Sequence, residues 1–352
     1  MHWRALIGVL MLAAFFACCA QPSGEQGGTP EKYYWRWATL DPGGYGYRVS
    51  AQLVDILKYE MPEVEFSILP YSSTTANIKD FCKGNAESTY IADLGFQELY
   101  MFTGAFKDFR GEVKQMPVQT FWAYTMETFI LIPKDKAGEI KSWKDLDGKK
   151  VFLTPAGYMN YLNIQRALKA VGVNVSHVEI DTRFTCKALE EGTIVATALY
   201  TTAKFSPPTW GKEADIACGA KLVPLNPSEE EIAKLMESGL LVVEINASEA
   251  FTNVKGKIYG VPFFFGFHVS KDMPESLVYK MLVSLEKNAE KLAKAEKGFE
   301  PLAKDFVGFQ IDGIKSTNPE LVPIHPVLAK FLKERNAWNE DWDAYIAKGS
   351  SG

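Results

Sequence analysis

Three short polar turns carry the residues of this chain that are suited to chemistry, and each stands where an apolar run gives way to a helical pattern. Their small, hydroxyl-bearing and aromatic residues are Gly43, Gly44, Tyr45 and Tyr47, then Ser72, Ser73, Thr74 and Asn77, and finally Gly157, Tyr158 and Asn160. The first turn of a helix presents unpaired backbone N–H groups and a partial positive charge. Glycine lets a ligand approach the backbone, and tyrosine adds flat contact area. These turns therefore predict reversible binding of a small polar or anionic molecule, such as a carboxylate.

Each turn also has a purely structural interpretation. Glycine is common in any strand-to-helix turn, and Ser73 or Thr74 can serve as the N-cap of the helix that follows. Asn160 could equally cap a helix, and Tyr158 could pack between two parts of the fold. Three such turns in one chain favour a shared binding site over three unrelated caps.

A catalytic site has little support in the sequence. The histidines are His2, His177, His268 and His325, and none has a sequence-evident carboxylate or serine partner. The chain contains no G-x-S-x-G motif, phosphate-binding loop, metal triad or C-x-x-C pair. We therefore predict no catalytic residue, no metal and no cofactor, and an enzyme is the less favoured alternative.

The composition bounds the class of protein. The chain has 352 residues, of which 47% are hydrophobic and 23% charged, which is enough to bury the cores of two domains. Its 38 basic residues are interspersed with 43 acidic ones, for a net charge of −5. Because nucleic acid binding depends on clustered Lys and Arg, a nucleic acid partner is not expected.

The N-terminal region reads as a leader followed by a tether. After Arg4, residues 5–17 form an apolar run that is too short to span a bilayer but suits the core of a signal peptide. Ala17 followed by Cys18 resembles a bacterial lipoprotein cleavage site. We predict a signal peptide over 1–18 with lipidation of Cys18, and a polar tether over 19–32; cleavage after Ala20 to give a soluble protein is the alternative. The mature protein would then be periplasmic or extracytoplasmic and anchored by lipid alone.

The remaining cysteines are Cys82, Cys186 and Cys218, and their spacing fits no metal site. An odd number in an oxidising compartment leaves at least one thiol unpaired. Cys186 and Cys218 could form one bridge, but we expect buried free thiols.

Beyond the tether, apolar strands alternate with helices. We predict strands at 33–40, 64–71, 129–133, 150–157, 177–182, 193–201 and 221–225. Helical spacing follows the first, second and fourth of these. This alternation is typical of mostly parallel sheets with helices on both faces, in which ligands bind beyond the carboxyl ends of the strands.

The motifs, taken in order, resemble one family. The segments ATLDPGGYGYRVSAQL, PYSSTTANIKDFCKGNAE, SWKDLDGKKVFLTPAG and VPIHPVLAKFLKE are similar to successive motifs of the solute receptors of tripartite ATP-independent periplasmic (TRAP) transporters, in the TAXI subfamily. The similarity covers residues 33–334. It departs from the family at 158–160, where Ser-Gly-Thr is usual, and at Ala92 and Asp93, where a Gln-Ser pair is usual. Asp93 would either select an amine or hydroxyl of the ligand or cap a helix.

The resemblance implies a type II-like periplasmic binding protein fold, with two α/β lobes joined by two crossing strands. Lobe 1 would comprise 33–130 and 263–352, and lobe 2 would comprise 131–262. The return strand near 261–269 makes Phe265 a further candidate for ligand contact. The implied partners are a small ligand and the TRAP membrane subunits; the alternative is a binding lipoprotein of an ABC importer or a sensor.

Overall fold

A computed structural model describes residues 32–42 and 44–348. Gly43, the predicted signal peptide with Cys18, and almost all of the predicted tether lie outside these residues. Within the described ranges, every helix falls short of the length and apolarity that a bilayer crossing requires.

The first part of the chain builds a parallel sheet. Strands β1, β2 and β3 span Tyr33–Leu40, Val64–Tyr71 and Ser88–Ala92, and helices α1, α2 and α3 span Tyr45–Glu60, Thr74–Cys82 and Asp93–Met101. In α1, Val49, Leu53 and Leu57 are buried, and their helical spacing turns one apolar face towards the sheet. The predicted strands 33–40 and 64–71 are confirmed to the residue.

A long strand then crosses out of the first lobe. Strand β4 spans Pro117–Pro133, so the predicted strand 129–133 is only its last part. Nearly all of its residues are buried, because this strand has neighbours on both edges and helices on its faces. Its sequence, PVQTFWAYTMETFILIP, therefore lacks the alternation that marks a half-buried strand.

The second lobe has shorter strands. Strands β5 to β9 span Lys150–Phe152, Ser176–His177, Ala196–Thr202, Leu222–Leu225 and Val243–Asn246, and helices α4 to α8 span Met159–Ala170, Thr185–Glu190, Thr209–Cys218, Glu229–Glu237 and Ala247–Ala250. The expected strand over 177–182 is wrong beyond His177, where the chain enters a short helical turn at 182–184. Cys186 and Cys218 form a disulfide, so the expectation of free thiols is wrong for this pair, while Cys82 is free and buried.

Strand β10, at Lys257–Ser270, returns to the first lobe, and helices complete the chain. Helices α9 to α13 span Glu275–Lys287, Ala289–Ala295, Glu300–Lys304, Phe306–Thr317 and Pro326–Lys333. Buried residues such as Leu282, Ile314 and Leu328 join the core of the first lobe. The C-terminal helices therefore pack on the first lobe.

The strands form one sheet in the order β2-β1-β3-β10-β4-β7-β5-β6, with β8 on β4 and β9 on β10. The β2-β1-β3 and β7-β5-β6 groups are parallel, and the two crossing strands run antiparallel between them. This is the predicted arrangement of two α/β lobes on two crossing strands.

The hydrophobic core changes partway along both crossing strands. Met126 and Phe263 belong to the core of the first lobe, whereas Ile130 and Val261 belong to a core of the second. Phe129 lies in a further second-lobe cluster on the opposite face of β4. The residue bounds predicted for the lobes, 33–130, 131–262 and 263–352, stay a prediction.

Candidate ligand-binding site

The strand ends of both lobes meet at the middle of β4. Ala92, the last residue of β3, pairs with Phe265, and Phe265 pairs with Tyr124. Thr202, the last residue of β7, pairs with Met126. The carboxyl ends of β3 in the first lobe and β7 in the second therefore lie at nearly the same level of β4, at Tyr124 and Met126. Ligands bind beyond the carboxyl ends of the strands in open α/β sheets.

Aromatic rings surround this meeting point. The ring of Tyr45, at the start of α1, lies 5.1 Å from the ring of Tyr124. Tyr90 and Tyr124 share a hydrogen bond through their hydroxyls, and their rings stack on Phe265 at 4.8 and 5.5 Å between centroids. We call Tyr45, Tyr90, Tyr124 and Phe265 the tyrosine cluster. It joins two predicted residues, Tyr45 and Phe265, to two that the sequence did not single out.

Burial keeps these hydroxyls neutral. It raises the pKa of Tyr45, Tyr90 and Tyr124, and also that of Tyr200 on β7, because an ionised phenol loses its hydration. The Glu296 carboxylate further raises the pKa of Tyr45. Each hydroxyl can therefore donate and accept a hydrogen bond at any physiological pH.

The start of α4 forms the wall from the second lobe. The Asn160 amide donates to the sulfur of Met126 at 3.8 Å, and Met159 packs into the core of the first lobe. Tyr158 precedes the helix as its N-cap and is 46% exposed. Asn160 is thus inside the helix and is not its cap, so the capping alternative for Asn160 is wrong.

The turn between β5 and α4 is strained and braced. Thr154 has φ of +85° and Gly157 has φ of +92°, and only glycine adopts this region without cost. His177 Nδ1 accepts from the Leu153 N–H at 3.2 Å, and Glu179 accepts from the Ala156 N–H at 3.1 Å. The two side chains also bond each other at 2.8 Å, so β6 and the segment after it hold this turn in place.

Two threonine hydroxyls near the strand ends have no hydrogen-bond partner among the residues that the structure describes. Thr154, in the second lobe, and Thr39, in the first, are fully buried, and their Oγ1 atoms are unpaired. Thr39 lies against the tyrosine cluster, since a methyl group added at Gly46 would come within 3.3 Å of its oxygen and 2.9 Å of Tyr90. A buried polar atom without a partner costs roughly 1–3 kcal/mol.

Other predicted residues have local partners. Ser73 is the N-cap of α2 and accepts from the Ala76 N–H at 3.1 Å, Thr74 begins that helix, and Ser72 is exposed. Asn77 accepts from the Thr89 hydroxyl at 2.6 Å inside the α2–β3 contact, and its Nδ2 has no hydrogen-bond partner in the described part of the chain. These contacts do not bring the second turn to the tyrosine cluster.

Gly44 and Tyr47 flank Tyr45. Gly44 is the N-cap of α1 and supplies no capping side chain, and Tyr47 is half-buried in the first turn of the helix. The first turn of α1 therefore has backbone N–H groups that its N-cap residue does not bond.

Asp93 follows β3 and is completely buried. Its carboxylate accepts from the backbone N–H groups of Leu94, at 2.6 Å, and Phe264, at 3.3 Å, and from the Ser316 hydroxyl. Burial raises its pKa, and the Arg166 charge opposes that rise. Protein donors occupy both carboxylate oxygens, and ligand contact by Asp93 stays a prediction.

Glu127 is a buried carboxylate that the sequence analysis missed. It accepts from the hydroxyls of Thr125 at 2.6 Å and Thr201 at 2.8 Å, and from the Lys204 N–H at 2.8 Å. Burial raises its pKa. Because Ala203 and Lys204 both have positive φ, Glu127 fixes a strained turn at the end of β7.

The missed residues share one property. Thr39, Tyr90, Tyr124, Thr154 and Tyr200 lie within strands or directly after them, and apart from Thr154 they are not in turns. For Thr39, Thr154 and Tyr200 the sequence signal was a polar side chain near the carboxyl end of an otherwise apolar strand, whereas Tyr90 and Tyr124 lie inside their strands and had no such signal. Among the described residues, no group of His, Cys, Asp and Glu side chains is arranged to hold a metal ion.

The NMT1-like family model matches residues 38–335 of the chain. The chain belongs to the NMT1-like family. No curated protein matches the chain.

The solved structures to which it is similar include the periplasmic sulfonate-binding protein SsuA of Methylobacillus flagellatus KT, at 13% identity and a TM-score of 0.48, covering 92% of this chain and 99% of that one. Another is the aliphatic sulphonate-binding protein SsuA of Escherichia coli, at 13% identity, a TM-score of 0.45, and coverage of 92% and 94%. A third is substrate-binding domain 2 of GlnP from Lactococcus lactis, at 17% identity, a TM-score of 0.38, and coverage of 77% and 96%.

The fold has two α/β lobes joined by two crossing strands, as the sequence predicted. The NMT1-like match does not extend to the resemblance to TRAP receptors of the TAXI subfamily, which stays a prediction.

Proposed function

We propose that this NMT1-like protein is an extracytoplasmic solute receptor that closes its two lobes over one small polar molecule beside the tyrosine cluster. The observation that carries the proposal is a pair of buried hydroxyls without a hydrogen-bond partner among the described residues, Thr39 near the carboxyl end of β1 and Thr154 just after β5. Polar atoms left without protein partners at a ligand-binding edge are suited to bonding a ligand.

The helix ends favour a polar or anionic group on that ligand. Both α1 and α4 begin beside the cleft, and their N-caps, Gly44 and Tyr158, contribute no side-chain cap bond. The backbone N–H groups of the two first turns are thus suited to a carboxylate. The nearby cation is Arg48, which pairs with Glu296 at 3.5 Å. We therefore propose that backbone groups and neutral hydroxyls, rather than a dedicated arginine, recognise the ligand here.

The proposed partner is the membrane part of a TRAP transporter. The support is the order of the motifs that resemble the TAXI receptors, including the Pro-Ala-Gly turn whose Gly157 has the positive φ that the turn needs. The alternative partner is an ABC importer. Uptake of the ligand into vesicles that contain the candidate membrane subunits separates the two, because a TRAP system is driven by an ion gradient and an ABC importer requires ATP inside.

We propose an extracytoplasmic location with a lipid anchor on Cys18. The Cys186–Cys218 disulfide supports an oxidising compartment. Intact-mass analysis of the membrane fraction should show an acylated N-terminal cysteine at position 18. An unmodified N-terminus at Gln21 would contradict the anchor while leaving the binding function standing.

A thermal-shift screen of small metabolites against the mature protein tests the binding function. A ligand at a hundred times its dissociation constant stabilises the folded state by about 2.7 kcal/mol. Small-angle scattering should then show a smaller radius of gyration with the ligand than without it. Recovery of chemically altered ligand after incubation would refute a pure receptor.

A further inference from the structure

A cavity of about 220 Å³ lies between the lobes, and none of the residues that line it belongs to the tyrosine cluster. From the first lobe, Gln97 on α3 and Ser316 on α12 line it; from the second, Arg166 on α4 and Ser238 after α7 do so. Pro262 of β10 forms part of its wall. The cavity therefore bridges the two lobes at the crossing strand. Of the predicted site residues, Asp93 is beside it, through its contacts with Ser316 and Arg166.

Arg166 gives this cavity an unusual chemistry. Its Nε donates to the Asn163 amide oxygen at 3.0 Å, and among the described residues that is its one hydrogen bond. A guanidinium has five N–H donors, so the two terminal nitrogens of Arg166 keep their hydrogen-bonding capacity. Burial lowers the pKa of Arg166, and the Asp93 charge acts in the opposite direction. The side chain remains a cation beside a cavity.

The neighbouring carboxylate does not use those nitrogens. Asp93 attracts Arg166 electrostatically, but its oxygens accept from Leu94, Phe264 and Ser316. The Ser316 hydroxyl is likewise used, because it donates to Asp93, and the Ser238 hydroxyl donates to the Lys234 carbonyl at 2.9 Å. The donors left for a ligand are the terminal nitrogens of Arg166 and the amide of Gln97, which makes no hydrogen bond among the described residues.

We propose that this cavity is a second binding site, for a short-chain carboxylate held by Arg166 and Gln97. A carboxylate offers two coplanar oxygens that match the two terminal nitrogens of a guanidinium, and such bidentate pairs are among the strongest hydrogen-bonded contacts in proteins. The Gln97 amide, from the other lobe, supplies a further donor. The bound acid thus joins the two lobes.

Binding at this site is coupled to closure of the lobes. An acid that contacts Arg166 and Gln97 together favours the arrangement in which α3, from the first lobe, and α4, from the second, are close. By linkage, the acid and a ligand at the tyrosine cluster then strengthen each other's binding. The site itself does not depend on the proposed function, because it is tested without any ligand in the cleft.

Acetate is the probe, and acetamide is its neutral isostere. In buffer of constant ionic strength, acetate should raise the melting temperature of the mature protein in a saturable way, and acetamide should not. Arg166→Gln should abolish the response. Arg183→Gln is the matched control, since Arg183 is exposed and paired with Asp181 at 2.6 Å, and it should respond like the wild type. An equal rise with acetamide, or an undiminished rise in Arg166→Gln, would overturn the proposal.

Two milder variants keep the test decisive if Arg166→Gln, which leaves Asp93 buried without its countercharge, fails to fold. Arg166→Lys retains the charge and loses the planar fork, and Gln97→Ala changes only a half-buried amide. Each should weaken acetate binding about tenfold in an NMR titration of ¹³C-labelled acetate. Wild-type affinity in both folded variants would show that acetate binds elsewhere. The absence of acetate binding to the wild type would also overturn the proposal.

Discussion

Tyr45, at the start of the first helix, sets its ring edge-on against Tyr124 in the middle of the crossing strand, with 5.1 Å between centroids and 74° between planes. Gly298 and Thr202 are also beside this contact, because a methyl group added at Gly298 would meet the Tyr45 hydroxyl and lie 3.5 Å from the Thr202 methyl. Tyr45 thus touches the crossing strand while its hydroxyl is next to the last residue of a second-lobe strand. Tyr45 is therefore placed to contact both lobes and a ligand bound between them.

Tyr45→Phe should weaken ligand binding about tenfold while changing the melting temperature little. The substitution keeps the ring and its packing, and removes a buried hydroxyl that we propose bonds the ligand. Calorimetric titration with the screened ligand measures the loss. Tyr59→Phe is the matched control, because Tyr59 lies on the same helix and is 83% exposed. An unchanged affinity with a lowered melting temperature would give Tyr45 a structural role only.

Thr154→Val should make the free protein more stable and the ligand weaker. Valine has the shape of threonine but lacks the unpaired hydroxyl, whose burial costs roughly 1–3 kcal/mol. Denaturant unfolding measures the gain, and titration measures the loss of affinity. For comparison, Thr120→Val should destabilise the protein, since the Thr120 hydroxyl donates to the Val118 carbonyl at 2.8 Å. If both variants lose stability, the Thr154 hydroxyl has a protein partner in solution.

Reduction of the Cys186–Cys218 disulfide should lower stability by about 3 to 4 kcal/mol. The bridge closes a loop of 32 residues, and the estimate is the chain entropy that such a loop removes from the unfolded state. Urea unfolding with and without reductant measures the change. Cys186→Ser with Cys218→Ser should show the lower stability in both conditions, and Cys82→Ala should keep the sensitivity to reductant. A wild-type protein indifferent to reductant would contradict the bridge.

His325→Asn should reduce the loss of stability on acidification. Burial lowers the pKa of His325 from about 6.5 to about 4. Between those two pH values the unfolded chain binds a proton that the folded chain does not. The free energy of unfolding therefore decreases as the pH is lowered from 6.5 to 4, by up to about 3 kcal/mol, and levels off below pH 4.

Asparagine is a suitable replacement because His325 Nδ1 caps α13 by accepting from the Val327 N–H at 3.1 Å, and an Asn oxygen can do the same. Unfolding free energies at pH 7 and pH 4.5 should therefore differ less in the variant than in the wild type. The buried His268, whose pKa burial also lowers, leaves part of the acid sensitivity in both. Equal acid sensitivity would show that His325 is protonated in the folded state.

The sequence predicted the elements whose signals are local. Strand β1 and strand β2 are bounded by polar turns, and α1 has a clear apolar face, so their limits could be read directly. Strand β4 is buried over nearly its whole length, so its sequence shows no alternation of apolar and polar residues. Pattern analysis therefore did not predict its first twelve residues. The disulfide was not predictable either, because cysteine spacing carries no information on pairing in space.

The candidate site divides in the same way. Tyr45, Tyr158 and Asn160 could be predicted as candidates because they follow apolar runs in the sequence. Tyr90 and Tyr124 lie inside two strands that are brought to Phe265 only by the pairing of β3 and β4 with β10. That register is a property of the whole sheet, and no local pattern encodes it.

A crystal structure of the mature protein with the ligand found by screening tests the central claim most directly. The proposed function predicts ligand density beside the tyrosine cluster, with polar atoms of the ligand within hydrogen-bonding distance of the Thr39 and Thr154 hydroxyls. Ligand density that leaves both hydroxyls unpaired, or that lies only in the Arg166 cavity, would contradict it.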